Sequence, residues 1–118
     1  MKDRFKFRVY IKYAKMMCYD VNSFYIDRIK NKITIHFDNH TKTFKFDDVV
    51  LEQCTGLKDK NGKLIYEGDI VTDGVDIFEV VWDYNAWCIQ TNNFQHFLTE
   101  GFEVIGNIHE NADLLGEK

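Results

Sequence analysis

A chain of 118 residues has the usual size of one domain, and its 45% hydrophobic and 29% charged residues are ordinary for a globular protein, so the composition indicates neither a disordered nor a membrane-spanning chain. The net charge of −4 hides an asymmetry: residues 1–60 carry 13 basic and 8 acidic side chains, whereas residues 61–118 carry 2 and 11. These two halves, at +5 and −9, either meet as complementary faces or are simply two different solvated faces.

Three features of the sequence indicate one reduced, intracellular domain. The first eight residues interleave charges with aromatic rings, where a secretory signal needs a continuous apolar stretch, so we expect a cytoplasmic protein with no membrane contact. Cys18, Cys54 and Cys88 are odd in number and widely spaced, which is typical of reduced core thiols. Proline, the usual marker of a linker, is absent, so we predict a single domain over residues 1–118.

The N-terminal part of the chain has the pattern of β-strands. Residues alternate from Arg4 to Lys12, which predicts a half-buried strand. Its predicted inner face is Phe5, Phe7, Val9 and Ile11, and its predicted outer face is Arg4, Lys6, Arg8, Tyr10 and Lys12. Met16 to Ile26 is compatible with either a strand or a loop. Lys30 to Phe46 is predicted to form a hairpin that turns at Asp38-Asn39-His40.

The second half of the chain is predicted to contain short strands separated by turns. Asn61-Gly62 is typical of a type I′ hairpin turn, because both residues tolerate positive φ. The predicted strands are Val49–Cys54, Leu64–Tyr66, a strand beginning at Ile70-Val71, a hairpin of Ile77–Trp82 and Ala86–Thr91 around Asp83-Tyr84-Asn85, and Phe102–Ile108. Strands at such intervals indicate a barrel or sandwich. Glu110–Leu115 is predicted to be one short helix capped by Asn111.

The run Thr55–Val71, TGLKDKNGKLIYEGDIV, closely resembles the YopX family of phage and prophage proteins. The resemblance extends to Lys6-Phe7-Arg8, to Lys15-Met16-Met17 and to Glu103–Asn111, so it covers nearly the whole chain. Two departures are Tyr10-Ile11, where the family usually has Trp-Asp, and Ala112-Asp113, where it usually has Pro-Glu.

The resemblance implies a small SH3-like barrel with a less regular N-terminal part, encoded by phages of low-GC bacteria, and it implies no established activity. We therefore predict a mainly β fold, with an N-terminal β portion at residues 1–50, a barrel portion at residues 51–118 and the short C-terminal helix. The glycines, the Asp69 turn and the aliphatic residues of the central run are read as barrel construction.

Aromatic residues are the first candidates for a binding site. They make up 15% of the chain, and Tyr66, Trp82, Tyr84 and Trp87 concentrate in the predicted barrel. Tyr84 lies in a predicted turn, where a large ring is hard to bury, so it and a neighbouring tryptophan are candidates for a stacking or interface patch. The simpler alternative is that both tryptophans pack in the core.

Basic residues of the first strand are the second candidates. Arg4, Lys6, Arg8 and Lys12, with Tyr10 among them, resemble a nucleic-acid surface. The acidic net charge argues against this interpretation, because phosphate binding depends on positive charge.

Neither a metal site nor an active site is predicted. His36 and His40 lie on a predicted hairpin, and His96 and His109 are distant in sequence, whereas zinc needs three or four converging ligands. The carboxylates from Glu67 to Asp83 are abundant but have no paired arrangement, and no nucleophile or phosphate-binding motif is present. We expect no cofactor.

The sequence thus favours a phage accessory protein that is not an enzyme and acts by binding a host protein or a small nucleotide-like ligand, with a role in host takeover or anti-defence. The alternatives are a self-assembling protein that forms a homo-oligomer through its oppositely charged halves, and a nucleic-acid-binding module.

Overall fold

The computed structural model describes residues 6–91 and 93–116 and shows a mainly β protein built from antiparallel strands. Its contacts divide the chain into two compact units, one of residues 6–53 and one that begins at Cys54. No helix in the described ranges has the length and hydropathy needed to cross a bilayer.

The N-terminal unit is a sheet in which β4, β3, β2, β1 and β5 are hydrogen-bonded in that order. Its strands are β1 (Phe7–Ile11), β2 (Met16–Asp27), β3 (Lys32–Phe37), β4 (Thr41–Lys45) and the first part of β5 (Val49–Lys58). The buried core of this unit is aliphatic and aromatic, formed by Val9, Ile11, Ile33, Ile35, Phe37, Phe44 and Val49. The sequence left Met16–Ile26 open between a strand and a loop, and in the structure this segment lies in the twelve-residue strand β2. The predicted hairpin is confirmed, with the Phe37 N–H donating to the His40 carbonyl across the turn.

The strand prediction at β1 is correct, but the prediction of a solvent-facing basic side is wrong. Arg8 is 1% exposed and Tyr10 is 9% exposed, so the strand is buried on both sides over Arg8–Ile11. Arg8 lies opposite Glu52 on β5, and its Nε donates to Glu52 Oε1 over 2.8 Å. Arg8 Nη1 also lies 3.3 Å from the Tyr19 hydroxyl. Burial of a guanidinium is possible here because a carboxylate neutralises it.

The C-terminal unit contains a five-stranded sheet in the order β10, β9, β8, β7, β11. Its strands are β7 (Asp69–Thr72), β8 (Ile77–Asp83), β9 (Ala86–Thr91), β10 (Phe94–Phe97) and β11 (Glu103–Asn107), and β6 (Leu64–Tyr66) pairs with the later part of β5. The core consists of Ile65, Val71, Phe78, Val80, Ile89, Leu98 and Phe102. In the described residues β10 and β11 do not pair with each other, so the sheet is not closed into a barrel.

The turn at Asn61-Gly62 does not have the predicted type I′ conformation. Gly62 has φ +85, but Asn61 is not among the described residues with positive φ, and type I′ needs both. The Asp59 N–H donates to the Lys63 carbonyl, which leaves a three-residue loop. The Asp59 carboxylate accepts the N–H groups of Asn61 and Lys63 at 2.8 and 2.9 Å, and this side chain organises the turn.

Asp59 also joins this turn to β11, because its second oxygen accepts the Val104 N–H at 3.0 Å. Burial raises the pKa of Asp59, but the amides of Val104, Lys63 and Asn61 together outweigh burial and hold that pKa below its ordinary value. A lowered pKa in the folded state means that ionised Asp59 stabilises the fold above the unfolded-state value, and that this stability is lost as pH falls through the folded-state pKa.

Asp59→Asn is therefore expected to lower the free energy of unfolding by about 1–3 kcal/mol at neutral pH, because the amide offers one acceptor oxygen in place of two. The difference from wild type should shrink as pH falls from about 4, the ordinary pKa that applies to the unfolded chain, down through the lower folded-state pKa of Asp59. Urea unfolding at pH values on both sides of this range measures it. The exposed Asp47→Asn variant is the control, and a deficit for Asp59→Asn that is the same at every pH would contradict the account.

The C-terminal helix is confirmed as a single 3-10 turn, Ala112–Leu115, but the predicted cap is wrong. Asn111 precedes the helix without capping it. Its Oδ1 instead accepts the N–H of Asn107 at the end of β11, over 3.1 Å.

Candidate functional site

The hairpin of β8 and β9 carries the most exposed aromatic residues of the predicted site. Its strands pair up to Asp83 and Ala86, and this leaves a two-residue turn at Tyr84-Asn85. Tyr84 has φ +50 and Asn85 has φ +59, so the type I′ conformation occurs here. Asp83 Oδ1 accepts the Tyr84 N–H at 2.9 Å, and 82% of Tyr84 is exposed.

The two tryptophans of the chain lie beside this turn. Trp82 and Trp87 are directly opposite each other on β8 and β9, with ring centroids 4.9 Å apart in an edge-to-face arrangement. Trp82 is 52% exposed and Trp87 is half-buried, so the core-packing alternative is wrong for Trp82. We call residues 82–87 the hairpin tip. It unites three of the four aromatic candidates.

Tyr66, the fourth aromatic candidate, is 5% exposed on β6 and opposite Cys54. Its N–H donates to the buried Asp69 carboxylate at 2.8 Å, which confirms the turn role expected for Asp69. A ring this deeply buried is unavailable to a partner, so Tyr66 is a core residue.

A hollow of about 370 Å³ lies next to the turn and is lined by Tyr84, Cys88, Gln95, His96 and Phe97. Gln95 Nε2 donates to Asp83 Oδ2 over 3.2 Å, so Asp83 contacts both the turn and a residue of the hollow. Phe97 is 61% exposed. The sequence reading missed the β10 residues, because Phe-Gln-His-Phe is short and lacks β-branched residues.

The basic candidates do not form one surface. Lys6 and Lys12 are exposed, whereas Arg8 is buried against Glu52, and Arg4 lies outside the described residues. Of the three basic candidates that the structure describes, two are exposed and one is buried, so these residues do not present the predicted row of cations.

Asp73 and Cys18 show no sign of activation for chemistry. Asp73 accepts the N–H groups of Asp76 and Val75, and these two bonds lower the pKa of Asp73. None of the three cysteines is in a disulfide, and both burial and the charge of Asp20 raise the pKa of Cys18, the opposite of an activated nucleophile. No group of three or more His, Cys, Asp or Glu side chains in the described ranges is placed to hold a metal ion.

Comparison with known proteins identifies relatives over nearly the full chain. The family model described as YopX protein matches residues 6–116. The crystal structure of protein EF1440 from Enterococcus faecalis is 27% identical, with a TM-score of 0.63 over 93% of this chain and 96% of that one. Protein yopX from Bacillus subtilis is 20% identical, with a TM-score of 0.65 over 95% of this chain and 98% of that one, a likeness of fold alone. No curated protein matches the chain.

Proposed function

The chain belongs to the YopX family, as its sequence resemblance indicated, and on that premise we propose that it is a phage accessory protein that binds a basic segment of a host protein. The binding surface is the hairpin tip together with the hollow beside it. The proposed setting is the cytoplasm of an infected bacterium, in host takeover or anti-defence, and the protein acts without catalysis.

The observation that carries this proposal is the position of Tyr84. A bulky residue at φ +50 is a backbone outlier, and left-handed backbone costs a non-glycine residue on the order of 1–2 kcal/mol. Glycine or asparagine would relieve that strain. Since 82% of the side chain is exposed, packing within the chain does not compensate. A strained, exposed ring is best explained by contact with a partner.

The chemistry around Tyr84 fits a cation. Tyrosine and tryptophan rings attract the guanidinium of arginine, and the carboxylate of Asp83 can pair with it. The hollow has room for one such side chain beside Tyr84 and Phe97. Arginine and large aromatic residues are the usual energetic centres of protein interfaces, so this combination supports a protein partner.

Overall charge supports the same choice among the candidate partners. Residues 61–118 have a net charge of −9, so a nucleotide or nucleic acid approaching the hairpin tip would be repelled, whereas a basic protein segment would be attracted. We therefore rank the basic protein segment above the nucleotide-like ligand and the nucleic acid. The SH3-like character of residues 51–118 belongs to this proposal, because small β scaffolds commonly present aromatic residues from their loops.

The proposal is tested by recovering partners from host lysate on immobilised wild-type protein and on the Asp83→Asn variant. Asparagine keeps an oxygen for the Tyr84 N–H but removes the charge. We expect wild type to retain a basic protein at low salt and release it as salt rises, and the variant to release it at lower salt. The exposed Asp47→Asn variant is the matched control and should behave as wild type.

Both tryptophans lie in the hairpin tip, so their fluorescence reports directly on occupancy of this surface. Addition of the recovered protein should shift the emission of wild type. Recovery of an acidic protein, a nucleotide or nucleic acid, or a bound protein that leaves the emission unchanged, would overturn the proposal.

A further inference from the structure

Strand β10 forms one outer edge of the C-terminal sheet and bears no charged residue. Its four residues, Phe94-Gln95-His96-Phe97, are all exposed, with Phe94 at 49% and Phe97 at 61%. In the described part of the chain, β9 is its one neighbouring strand. An uncharged edge with exposed rings is a template on which another strand can pair.

The hydrogen bonds show which backbone groups of β10 point outward. The Leu98 N–H donates to the Trp87 carbonyl of β9, just beyond the paired residues. Backbone direction alternates along an antiparallel strand, so His96 and Phe94 also face β9. The N–H and C=O groups of Gln95 and Phe97 therefore point away from the sheet.

Among the described residues the other outer strands are β4, β6 and β11. β6 has only three residues, two of them buried, and β4 and β11 are protected against such pairing. β4 carries Lys42 and Lys45, and lysine on an edge discourages strand addition. On β11, side chains already accept outward N–H groups: Val104 donates to Asp59, and Asn107 donates to Asn111. In the described part of the chain, β10 has neither a lysine nor a side chain that accepts its outward N–H groups.

We propose that β10 pairs with β10 of a second copy of this chain, antiparallel and about a two-fold axis through the sheet. Because this axis is perpendicular to the sheet, each face of the sheet continues across the dimer. Each residue of β10 therefore lies opposite a partner residue whose side chain points to the same face. Centring the pairing on His96 uses both outward residues: Gln95 bonds the partner subunit's Phe97, and Phe97 bonds the partner subunit's Gln95. Four N–H···O bonds form, and the sheet becomes ten-stranded.

The absence of charge on this edge favours a second copy of the chain as its occupant. Two chains of net charge −4 repel, and two C-terminal halves of −9 repel more strongly, so copies meet most easily where the surface is uncharged. A basic partner is attracted to the carboxylate of Asp83, whereas the outward backbone of this edge carries no charge that would attract it. In this register the two copies of His96 lie directly opposite each other and the two copies of Phe97 are diagonal neighbours, a distance that aromatic side chains can span. The side chains of Gln95, His96 and Phe97 also line the hollow beside the hairpin tip, but the proposed pairing uses backbone groups and does not depend on what the hairpin tip binds.

Sedimentation velocity of the full chain tests the dimer. A four-residue edge buries an interface at the small end of the known range, so we expect a reversible monomer–dimer equilibrium between about 10 µM and about 1 mM. His96→Lys places two like charges opposite each other and should weaken dimerisation at least about tenfold. Gln95→Pro removes an outward N–H from each copy without touching a bond to β9, and should weaken it similarly.

Thr43→Lys is the matched control, because it adds a lysine to the edge strand β4, which already carries two. It should leave the dimer unchanged, and circular dichroism should show all variants folded. Added salt should leave the dimer intact or strengthen it, whereas assembly through oppositely charged halves would weaken. A wild-type chain that stays monomeric throughout, or a dimer that survives both His96→Lys and Gln95→Pro, would overturn the inference.

Discussion

Replacing Glu52 by leucine is expected to lower the free energy of unfolding of the N-terminal unit by about 3–5 kcal/mol, because the buried Arg8 guanidinium then loses the carboxylate that neutralises it. Arg8 is 1% exposed and Glu52 is 3% exposed, and their side chains are 2.8 Å apart. A guanidinium cannot escape the penalty by losing its proton. Since domains are stable by only about 5–15 kcal/mol, a loss of this size removes a large share of the stability.

The matching double variant, Arg8→Met with Glu52→Leu, should recover most of the lost stability, because a buried ion pair is often replaceable by apolar residues. Glu103→Gln is the control, since it breaks the exposed Lys60–Glu103 pair at 3.6 Å and should change stability by less than about 1 kcal/mol. Hydrogen exchange over residues 7–53 is the suitable measurement, because both tryptophans lie in the other unit. A single Glu52→Leu variant as stable as wild type would contradict this account of β1.

Tyr84→Asn is expected to raise the stability of the C-terminal unit by about 0.5–1 kcal/mol while it weakens partner binding by about 30-fold or more. Asparagine tolerates left-handed backbone and is a preferred residue of type I′ turns, so the strain at φ +50 is relieved. Little packing is lost, because the ring is 82% exposed. A substitution that stabilises the fold but weakens partner binding identifies a residue that is retained for contact with the partner.

Urea unfolding followed by tryptophan fluorescence measures the stability part of this prediction. Tyr25→Asn is the matched control, since Tyr25 is 66% exposed on β2 but does not lie at a positive φ. It should bring neither a gain in stability nor a loss of binding. If Tyr84→Asn destabilises the chain, Tyr84 supports the fold and the strain argument fails.

Structural features that depend on residues close together in the chain could be predicted from the sequence. The hairpin around Tyr84 was predictable because two strand-like runs flank Asp-Tyr-Asn, and Asp69 was predictable as a turn residue because it follows a glycine. The exposure of Tyr84 follows from the turn itself. Most strands were found in the same way, from alternation and β-branched residues.

Features that depend on distant residues were not predictable. Arg8 was assigned to the solvent because its partner Glu52 is 44 residues away, and local alternation cannot reveal such a pair. Asn61-Gly62 was assigned a type I′ turn because the Asp59 side chain, which organises a longer loop, competes with the local preference. The hollow was missed together with β10, whose exposed residues have no alternation to mark a strand.

The measurement that tests the central claim most directly is the affinity of the recovered host protein for wild type, Tyr84→Asn and Tyr25→Asn, followed by tryptophan emission. The claim that the hairpin tip is a binding surface predicts equal affinity for wild type and Tyr25→Asn, and a loss of about 30-fold or more for Tyr84→Asn. Equal affinity for all three proteins would contradict it.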